Sequence, residues 1–203
     1  MRKGVVYVFL VIIFIAIFML FWYNEYVYSL PTPVPTNYTA VPHGTRIDLS
    51  STLKSGDNKP VLLHFFNPEC PCSKFNMPHF KSLVKEFGHK VNFAIVVMGD
   101  RRFSSKEVKD KFSIDVPVLT DTSLATLCGV YSTPQAVIID ALQKLYYRGN
   151  YNKTRYCTDK KTNYAQMALE ALLSKERIIP FDQYSLKAFG CELPHCTKKE
   201  NLP

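Results

Sequence analysis

The chain has 203 residues, of which 47% are hydrophobic and 21% are charged, and its formal net charge is +8. This length fits one ordinary domain with appendages, and the composition excludes a disordered or collagen-like chain. Because the basic residues are spread along the chain, we expect no nucleic-acid partner, and the charge indicates solubility with some attraction to an anionic membrane.

The N-terminus predicts a single membrane anchor. Residues 5–23 carry no charged side chain, and this run is about as long as a helix needs to cross a bilayer core. Arg2 and Lys3 precede it and should remain cytoplasmic by the positive-inside rule. A cleaved signal peptide is the alternative, but no small-residue cleavage pattern follows the run before Pro31. We therefore expect residues 1–23 to anchor the chain in the cell membrane as a single-pass protein, with the rest of the chain on the extracytoplasmic, periplasmic side.

Residues 24–45 contain four prolines and predict a semi-rigid linker. The apolar runs at 61–66 and 91–98 predict two strands that are each buried on both faces. Between them, residues 72–87 place apolar side chains at helical spacing around Pro78, which should kink the helix.

The second half of the chain continues the alternation of strands and helices. Ser104 and Glu107 form a capping box that opens a helix ending near Phe112, and residues 122–129 predict a brief helix that ends at a glycine. Strands are expected at 116–119, 135–140 and 144–148, and a helix at 163–175. This order predicts an α/β fold with a mixed central sheet and helices on both faces.

Two cysteines, Cys70 and Cys72, lie where the first of these strands ends and a helix begins. A helix N-terminus favours the thiolate, which is the form of cysteine that attacks disulfides. Glu69 acts in the opposite direction, because a nearby anion raises the pKa of a thiol. The two thiols are therefore candidate redox groups.

Three features of the chain resemble one known family. They are the strand 61–66 followed within four residues by Cys70, the Met77-Pro78 pair, and the segment 129–140 that contains Thr133-Pro134. Together they resemble the thioredoxin superfamily, and most of all the membrane-anchored extracytoplasmic thiol-disulfide oxidoreductases of the TlpA and ResA type.

The resemblance implies a three-layer thioredoxin-like domain over residues 46–176, followed by a cysteine-containing tail at 177–203. It also implies a cis peptide bond between Thr133 and Pro134. In such a site the Thr133 backbone beside Pro134 would bind the substrate chain as an added strand.

The active-site motif departs from the family pattern of Cys-x-x-Cys after a tryptophan. Glu69 stands in place of the tryptophan, and Ser73 in place of the resolving cysteine. Cys72 could resolve Cys70 instead, through a Cys-x-Cys disulfide in a small and strained ring, and a strained disulfide is more oxidising.

Two further residues are candidates for the site. Cys128 lies six residues before Pro134 and could resolve a mixed disulfide, or it could be a small buried hydrophobic residue. His64 lies six residues before Cys70, where thioredoxins hold a buried acid. It could act as a base near neutral pH, or it could be an ordinary core histidine.

The sequence therefore predicts a thiol-disulfide oxidoreductase that acts on protein disulfides outside the cytoplasm. Cys70 is the nucleophile and Cys72 or Cys128 resolves. The expected partners are protein thiols and disulfides, a redox partner protein, and the membrane through residues 5–23, with no cofactor and no metal.

Two alternatives remain open. One is a thiol peroxidase of the peroxiredoxin type, although Asn67 stands where those enzymes have Thr or Ser. The other is a non-enzymatic Cu(I) carrier or chaperone that binds the metal through Cys70 and Cys72, with Met77 or His79 nearby.

The last three cysteines are Cys157, Cys191 and Cys196. In an exported protein we expect a local Cys191–Cys196 disulfide or a disulfide from Cys157 to the tail. Free thiols, or a metal site that includes His195, are the alternatives.

Overall fold

The structure is a computed structural model that describes residues 2–50, 52–53, 58–99, 101–174 and 181–193. The chain divides into two compact units, Met1–Pro31 and Thr32–Pro203.

The first unit is one long helix, α1 (Arg2–Ser29). Its segment from Lys3 to Tyr26 is long and apolar enough to span a membrane. The helix continues beyond residue 23 because the next six residues include neither proline nor glycine, and it ends shortly before Pro31, which disfavours helical backbone in the residue that precedes it.

The second unit contains a five-stranded mixed sheet. Its strands are β1 (Val61–Phe66), β2 (Asn92–Val97), β3 (Val118–Leu119), β5 (Gln135–Ile139) and β6 (Leu145–Gly149), in the order β3-β2-β1-β5-β6. β1 pairs in parallel with β2 and antiparallel with β5, and β6 pairs antiparallel with β5. A second, two-stranded sheet joins β4 (Ser132–Thr133) to β7 (Cys191–Glu192).

Helices connect and cover these strands. They are α2 (Pro71–Phe87), α3 (Ser105–Phe112), α4 (Ser123–Cys128), α5 (Tyr164–Ser174) and α6 (Gln183–Leu186), with a 3-10 turn at Lys160–Thr162. Pro78 lies inside α2, which nevertheless continues to Phe87.

Every side chain of β1 is buried, so the sheet must be covered on both faces. Leu62 and Phe66 belong to one core cluster, and Leu63 and Phe65 to a second. Helices α2 and α5 contribute Phe80, Leu83, Ala168 and Leu169 to the first cluster, while α4 contributes Leu124 and Ala125 to the second. The result is the three-layer thioredoxin-like fold with a mixed central sheet that the sequence predicted.

The segment 181–193 is folded onto the second unit, although its sequence shows no periodic pattern. The buried Asn150 side chain donates hydrogen bonds to the carbonyl oxygens of Tyr184 and Lys187, both at 2.6 Å. The Tyr164 hydroxyl donates to Asp182 at 2.8 Å. These bonds hold α6 against the domain and bring β7 to β4.

Candidate active site

Cys70 lies between the end of β1 and the start of α2, as the N-cap residue of the helix, with Pro71 as its first residue. The backbone N–H of Cys70 donates to the Asn67 carbonyl oxygen at 3.1 Å, which forms the turn between strand and helix. The sulfur therefore lies at the positive end of the helix dipole. Cys70 is nevertheless only 3% exposed.

Cys70 is covered because it forms a disulfide with Cys191 of β7, 121 residues further along the chain. This pairing corrects the expected local disulfide between Cys191 and Cys196. Cys196 and His195 lie outside the described residues. The pairing of β7 with β4, rather than a short loop in the tail, brings Cys191 beside Cys70.

Cys72 is the second residue of α2 and is 4% exposed. Its sulfur and those of Cys70 and Cys191 all lie within 4.8 Å of one another. Three sulfur atoms at this separation can exchange disulfides by small movements, or can bind a thiophilic metal ion once they are reduced.

The loop that contains Pro134 lies beside this sulfur group. The Thr133–Pro134 peptide bond is cis, and the Thr133 carbonyl oxygen lies 3.9 Å from Cys70 Sγ. Thr133 is paired with Cys191 across the small sheet, and Ser132 with Glu192. The predicted nucleophile and the predicted substrate-binding loop are therefore neighbours.

Ser73 stands where a Cys-x-x-Cys motif that begins at Cys70 would have its second cysteine. Its side chain is fully buried, and its hydroxyl accepts a hydrogen bond from the Asn67 backbone N–H at 3.2 Å. Ser73 therefore stabilises the turn that presents Cys70.

Cys128 is the last residue of α4, is fully buried and packs in the second core cluster. Burial raises the pKa of the Cys128 thiol to about 12, so this thiol stays protonated and poorly nucleophilic at neutral pH. In the described part of the chain, the group of three sulfur atoms does not include Cys128. These facts favour the interpretation of Cys128 as a small core residue.

His64 is fully buried in the middle of β1. Its Nδ1 lies 2.8 Å from the Tyr151 hydroxyl, and its ring stacks on Phe80 with the ring centroids 4.4 Å apart. Burial, with a smaller contribution from nearby His79, lowers the pKa of His64 to about 3. A neutral imidazole that binds protons this weakly is suited to a core histidine rather than to a base at neutral pH.

Cys157 is half-buried and lies against α2. The Asn76 side-chain amide donates to its sulfur at 3.0 Å, and burial raises the pKa of the Cys157 thiol to about 12. The sequence offered a disulfide from Cys157 to the tail as one of two expected pairings. The structure describes one of the tail cysteines, Cys191, and this residue is bonded to Cys70 instead.

A cleft of about 430 Å³ opens next to the small sheet. Its lining includes Tyr38, Met98, Val130 and Tyr131 from the domain, and Leu193, which directly follows β7. The cleft therefore borders the residue that directly precedes β4, Tyr131, and the residue that directly follows β7, Leu193.

Cys191 is the functional residue that sequence reasoning did not connect to Cys70. The signal that could have found it is the glycine before it. Gly190 has a φ of +153°, and a Cβ atom at this position would lie far inside contact distance of the Thr133 carbonyl oxygen. Gly190 thus lies where two backbones approach closely, which is a common reason for a glycine.

Two solved structures share the fold with a TM-score of 0.63 each. A hypothetical protein, SMc02350, from Sinorhizobium meliloti 1021 is 17% identical, and the match covers 77% of this chain and 96% of that chain. An uncharacterized conserved protein from Geobacillus kaustophilus is 19% identical, with 85% and 100% covered. At these identities the similarity shows a common fold and not a common activity.

A thioredoxin family thiol:disulfide interchange protein from Chlorobium tepidum TLS is 18% identical, with 70% of this chain and 97% of that chain covered and a TM-score of 0.47. That similarity is too distant to bear on activity. A comparison with curated proteins finds no match. The family described as a domain of unknown function, DUF6436, matches residues 40–192, and the chain belongs to this family.

Proposed function

We propose that this protein is a thiol-disulfide oxidoreductase that acts on protein disulfides outside the cytoplasm, with Cys70 as its nucleophile. The observation that carries the proposal is the position of Cys70 Sγ. This atom lies at the N-terminus of α2, takes part in a disulfide, and is 3.9 Å from the carbonyl oxygen that precedes the cis proline.

The reaction begins with the reduced protein. The Cys70 thiolate attacks one sulfur of a substrate disulfide, that disulfide breaks, and the other substrate sulfur leaves as a thiolate that takes a proton from water. A second thiol of the protein then loses its proton and attacks Cys70 Sγ, which releases the first substrate sulfur. Two electrons have passed from the protein dithiol to the substrate, and a dithiol reductant must restore the protein.

The same steps in reverse donate the protein disulfide to a dithiol substrate. In both directions Cys70 must be a good leaving group as well as a nucleophile, and the N-terminus of α2 stabilises its thiolate in both roles. Thr133 and Pro134 bind the substrate chain in this proposal, because the backbone of β4 offers an edge to which an extended chain can pair.

The test uses the full chain in detergent micelles, with insulin as the disulfide substrate and dithiothreitol as the reductant. We expect Cys70→Ser to lower the catalysed rate by at least about 1,000-fold, because the group that attacks the substrate is removed. Cys157→Ser is the matched control and should leave the rate unchanged, since its sulfur contacts Asn76 and lies outside the sulfur group.

Mass spectrometry after alkylation provides the second readout. In the oxidised protein Cys70 should be protected, and after reduction it should be alkylated first among the cysteines. An active Cys70→Ser variant, or a Cys70 that stays a thiol under oxidising conditions, would contradict the proposal.

A second candidate function is that of a Cu(I) carrier, which the three sulfur atoms within 4.8 Å favour once they are reduced. Met77 is 4% exposed and packs in the first core cluster, so it serves the core rather than this site. Tight Cu(I) binding in a competition titration, together with no reduction of insulin, would support the carrier over the oxidoreductase.

A further inference from the structure

We propose that Cys191 is the resolving cysteine of this site, and that β7 delivers it by taking the place at β4 that a substrate strand would occupy. This inference rests on the proposed function, because it names the second thiol of the same reaction. The oxidised protein is then closed by its own tail, and reduction of the Cys70–Cys191 disulfide lets β7 leave β4.

The pairing of the small sheet carries the argument. The predicted substrate-binding residue Thr133 pairs with Cys191, antiparallel, and the Cys191 sulfur is bonded to Cys70. A substrate strand that paired with β4 in this register would place its own cysteine against Cys70. The tail therefore resembles a substrate in both of its contacts, the backbone pairing and the disulfide.

The contact between β7 and β4 is closely fitted. A side chain at Gly190 would collide with the Thr133 carbonyl group, so only glycine lets the two backbones approach. On the same stretch, the Ser132 hydroxyl donates to the Cys191 carbonyl oxygen at 3.1 Å. These two features position the Cys191 sulfur over Cys70.

A residue near the start of the second unit holds the tail from another side. The backbone N–H of Thr32 donates to the Ala188 carbonyl oxygen at 2.9 Å, and its hydroxyl lies 3.2 Å from the Gly190 carbonyl oxygen and 2.9 Å from the Ser132 hydroxyl. Thr32 is 5% exposed. The segment before β7 is therefore enclosed on the side of Thr32 as well as paired with β4.

The tail remains attached to the domain when the disulfide opens. Asn150 binds the carbonyl oxygens of Tyr184 and Lys187, and Ala188 is fully buried. Only β7, which has two residue pairs with β4, must move to admit a substrate. A thiol on so short a tether has an effective concentration on the order of millimolar at Cys70, which is what a resolving group requires.

Cys72 is the competing resolver. It lies two residues from Cys70 along the chain, in the first turn of α2. The disulfide in the structure joins Cys70 to Cys191, although the Cys72 sulfur is also within 4.8 Å. In the step we assign, the Cys191 thiolate attacks Cys70 Sγ of the mixed disulfide, the Cys70–Cys191 bond forms, and the substrate leaves as a thiolate that is then protonated.

The test mixes the reduced full chain, in detergent micelles, with insulin as the disulfide substrate. The mixed disulfide between the two is followed over time on non-reducing gels. We expect Cys191→Ser to slow release of the substrate by about 100-fold, because an external thiol at about 10 µM must replace a tethered one whose effective concentration is about 1 mM. Cys72→Ser should release the substrate at the wild-type rate.

The outcomes separate the two proposals. If Cys72→Ser traps the substrate and Cys191→Ser does not, Cys72 is the resolver and the assignment of Cys191 is overturned, while the proposed function stands. If neither the wild type nor any variant forms a mixed disulfide through Cys70, the proposed function itself fails.

A second variant tests the strand without changing a thiol. Gly190→Ala should push β7 away from Thr133, so that resolution slows by about tenfold or more while the first attack by Cys70 becomes faster. Gly44→Ala is the matched control, because Gly44 also has a positive φ but has open space around it. A Gly190→Ala variant with wild-type rates in both steps would overturn the role of β7.

Discussion

At the scale of single residues, the site is distinguished by the residue that stands where a Cys-x-x-Cys motif would have its second cysteine. Ser73 occupies the position of that cysteine, where its hydroxyl binds the Asn67 backbone and so supports the turn before Cys70. In the function that we propose, the role of a second thiol then falls to another residue near Cys70. Cys72 and Cys191 are the two cysteines whose sulfur atoms lie within 4.8 Å of Cys70 and of each other.

His64 leads to a prediction about pH. Its pKa is lowered to about 3 in the folded protein by burial, whereas in the unfolded chain it is about 6.5. The unfolded chain therefore binds the proton more tightly, so stability is fully present above about pH 6.5 and is lost as the pH falls towards 3. Between pH 7.5 and pH 5 this one residue should cost about 2 kcal/mol of the free energy of unfolding.

The measurement is urea unfolding of the full chain in detergent at pH 7.5 and pH 5, followed by tyrosine circular dichroism. His64→Gln should lose about 2 kcal/mol less than the wild type over this interval, because its amide does not titrate. His89→Gln changes an exposed histidine and serves as the control. Equal losses in the His64→Gln variant and the wild type would contradict the burial of a neutral imidazole.

The same residues show what sequence reasoning could reach. The position of Cys70 followed from local signals, namely an apolar run before it and an amphipathic stretch after it, and the structure places it at the N-terminus of α2. The roles of His64 and Cys128 stayed open because each depends on burial by distant side chains. For His64, the ring of Phe80 and the hydroxyl of Tyr151 supply that environment, and the sequence places neither beside it.

At the scale of elements, the strongest contrast is between the sheet and the tail. Strands β1 and β2 are long, continuous apolar runs, and their predicted ranges agree with the structure to within one residue at each end. Strand β7 has two residues and exists because β4 is its partner. An element whose stability comes from contacts across 59 positions, such as the hydrogen bond between Ser132 and Cys191, carries no periodic signal of its own.

The anchor of the tail can be tested at Asn150. Asn150→Ala removes the hydrogen bonds to the Tyr184 and Lys187 carbonyl oxygens and leaves both without that donor. This should destabilise the docked segment by about 2 kcal/mol, since buried acceptors lose their partner. Trypsin should then cleave after Lys187 about 30-fold faster, because cleavage follows the population of the open segment.

Asn152→Ala is the matched control for this variant. Asn152 is also a buried asparagine, but its amide donates to Asp159 and Asn163 within the neighbouring loop. It should leave cleavage after Lys187 at the wild-type rate. Equal acceleration in both variants would indicate general loosening of the domain and would contradict a specific anchor at Asn150.

At the scale of the whole molecule, two units of different character follow one another along the chain. The helix α1 exposes large apolar side chains along its length, such as Phe9, Phe14 and Phe21. In water this exposure is costly, and a bilayer core removes the cost because the helix satisfies its own backbone hydrogen bonds. The second unit buries its apolar side chains in two clusters of its own and does not need the helix to form its core.

The Cys70–Cys191 disulfide connects the chemistry to the compartment. Structural disulfides persist in oxidising compartments and are rare in the cytosol, so a Cys70–Cys191 disulfide favours the proposed location of the second unit outside the cytoplasm. Arg2 and Lys3 before the apolar run favour the same orientation by the positive-inside rule. Two independent physical arguments, one from redox chemistry and one from charge, thus support one topology.

The topology of the chain in the membrane can be tested directly. In bacterial spheroplasts the full chain should resist carbonate extraction, retain its first residue in the intact mass, and lose a C-terminal epitope tag to externally added protease. A variant with Arg2→Glu and Lys3→Glu should show a larger protected fraction, because the charge that holds the N-terminus inside is removed. The protected tag should be found with Cys70 and Cys191 as thiols, since the cytosol keeps cysteines reduced. A tag that is protected in the wild type, or a chain released from the membrane by cleavage after α1, would contradict an anchored domain outside the cytoplasm.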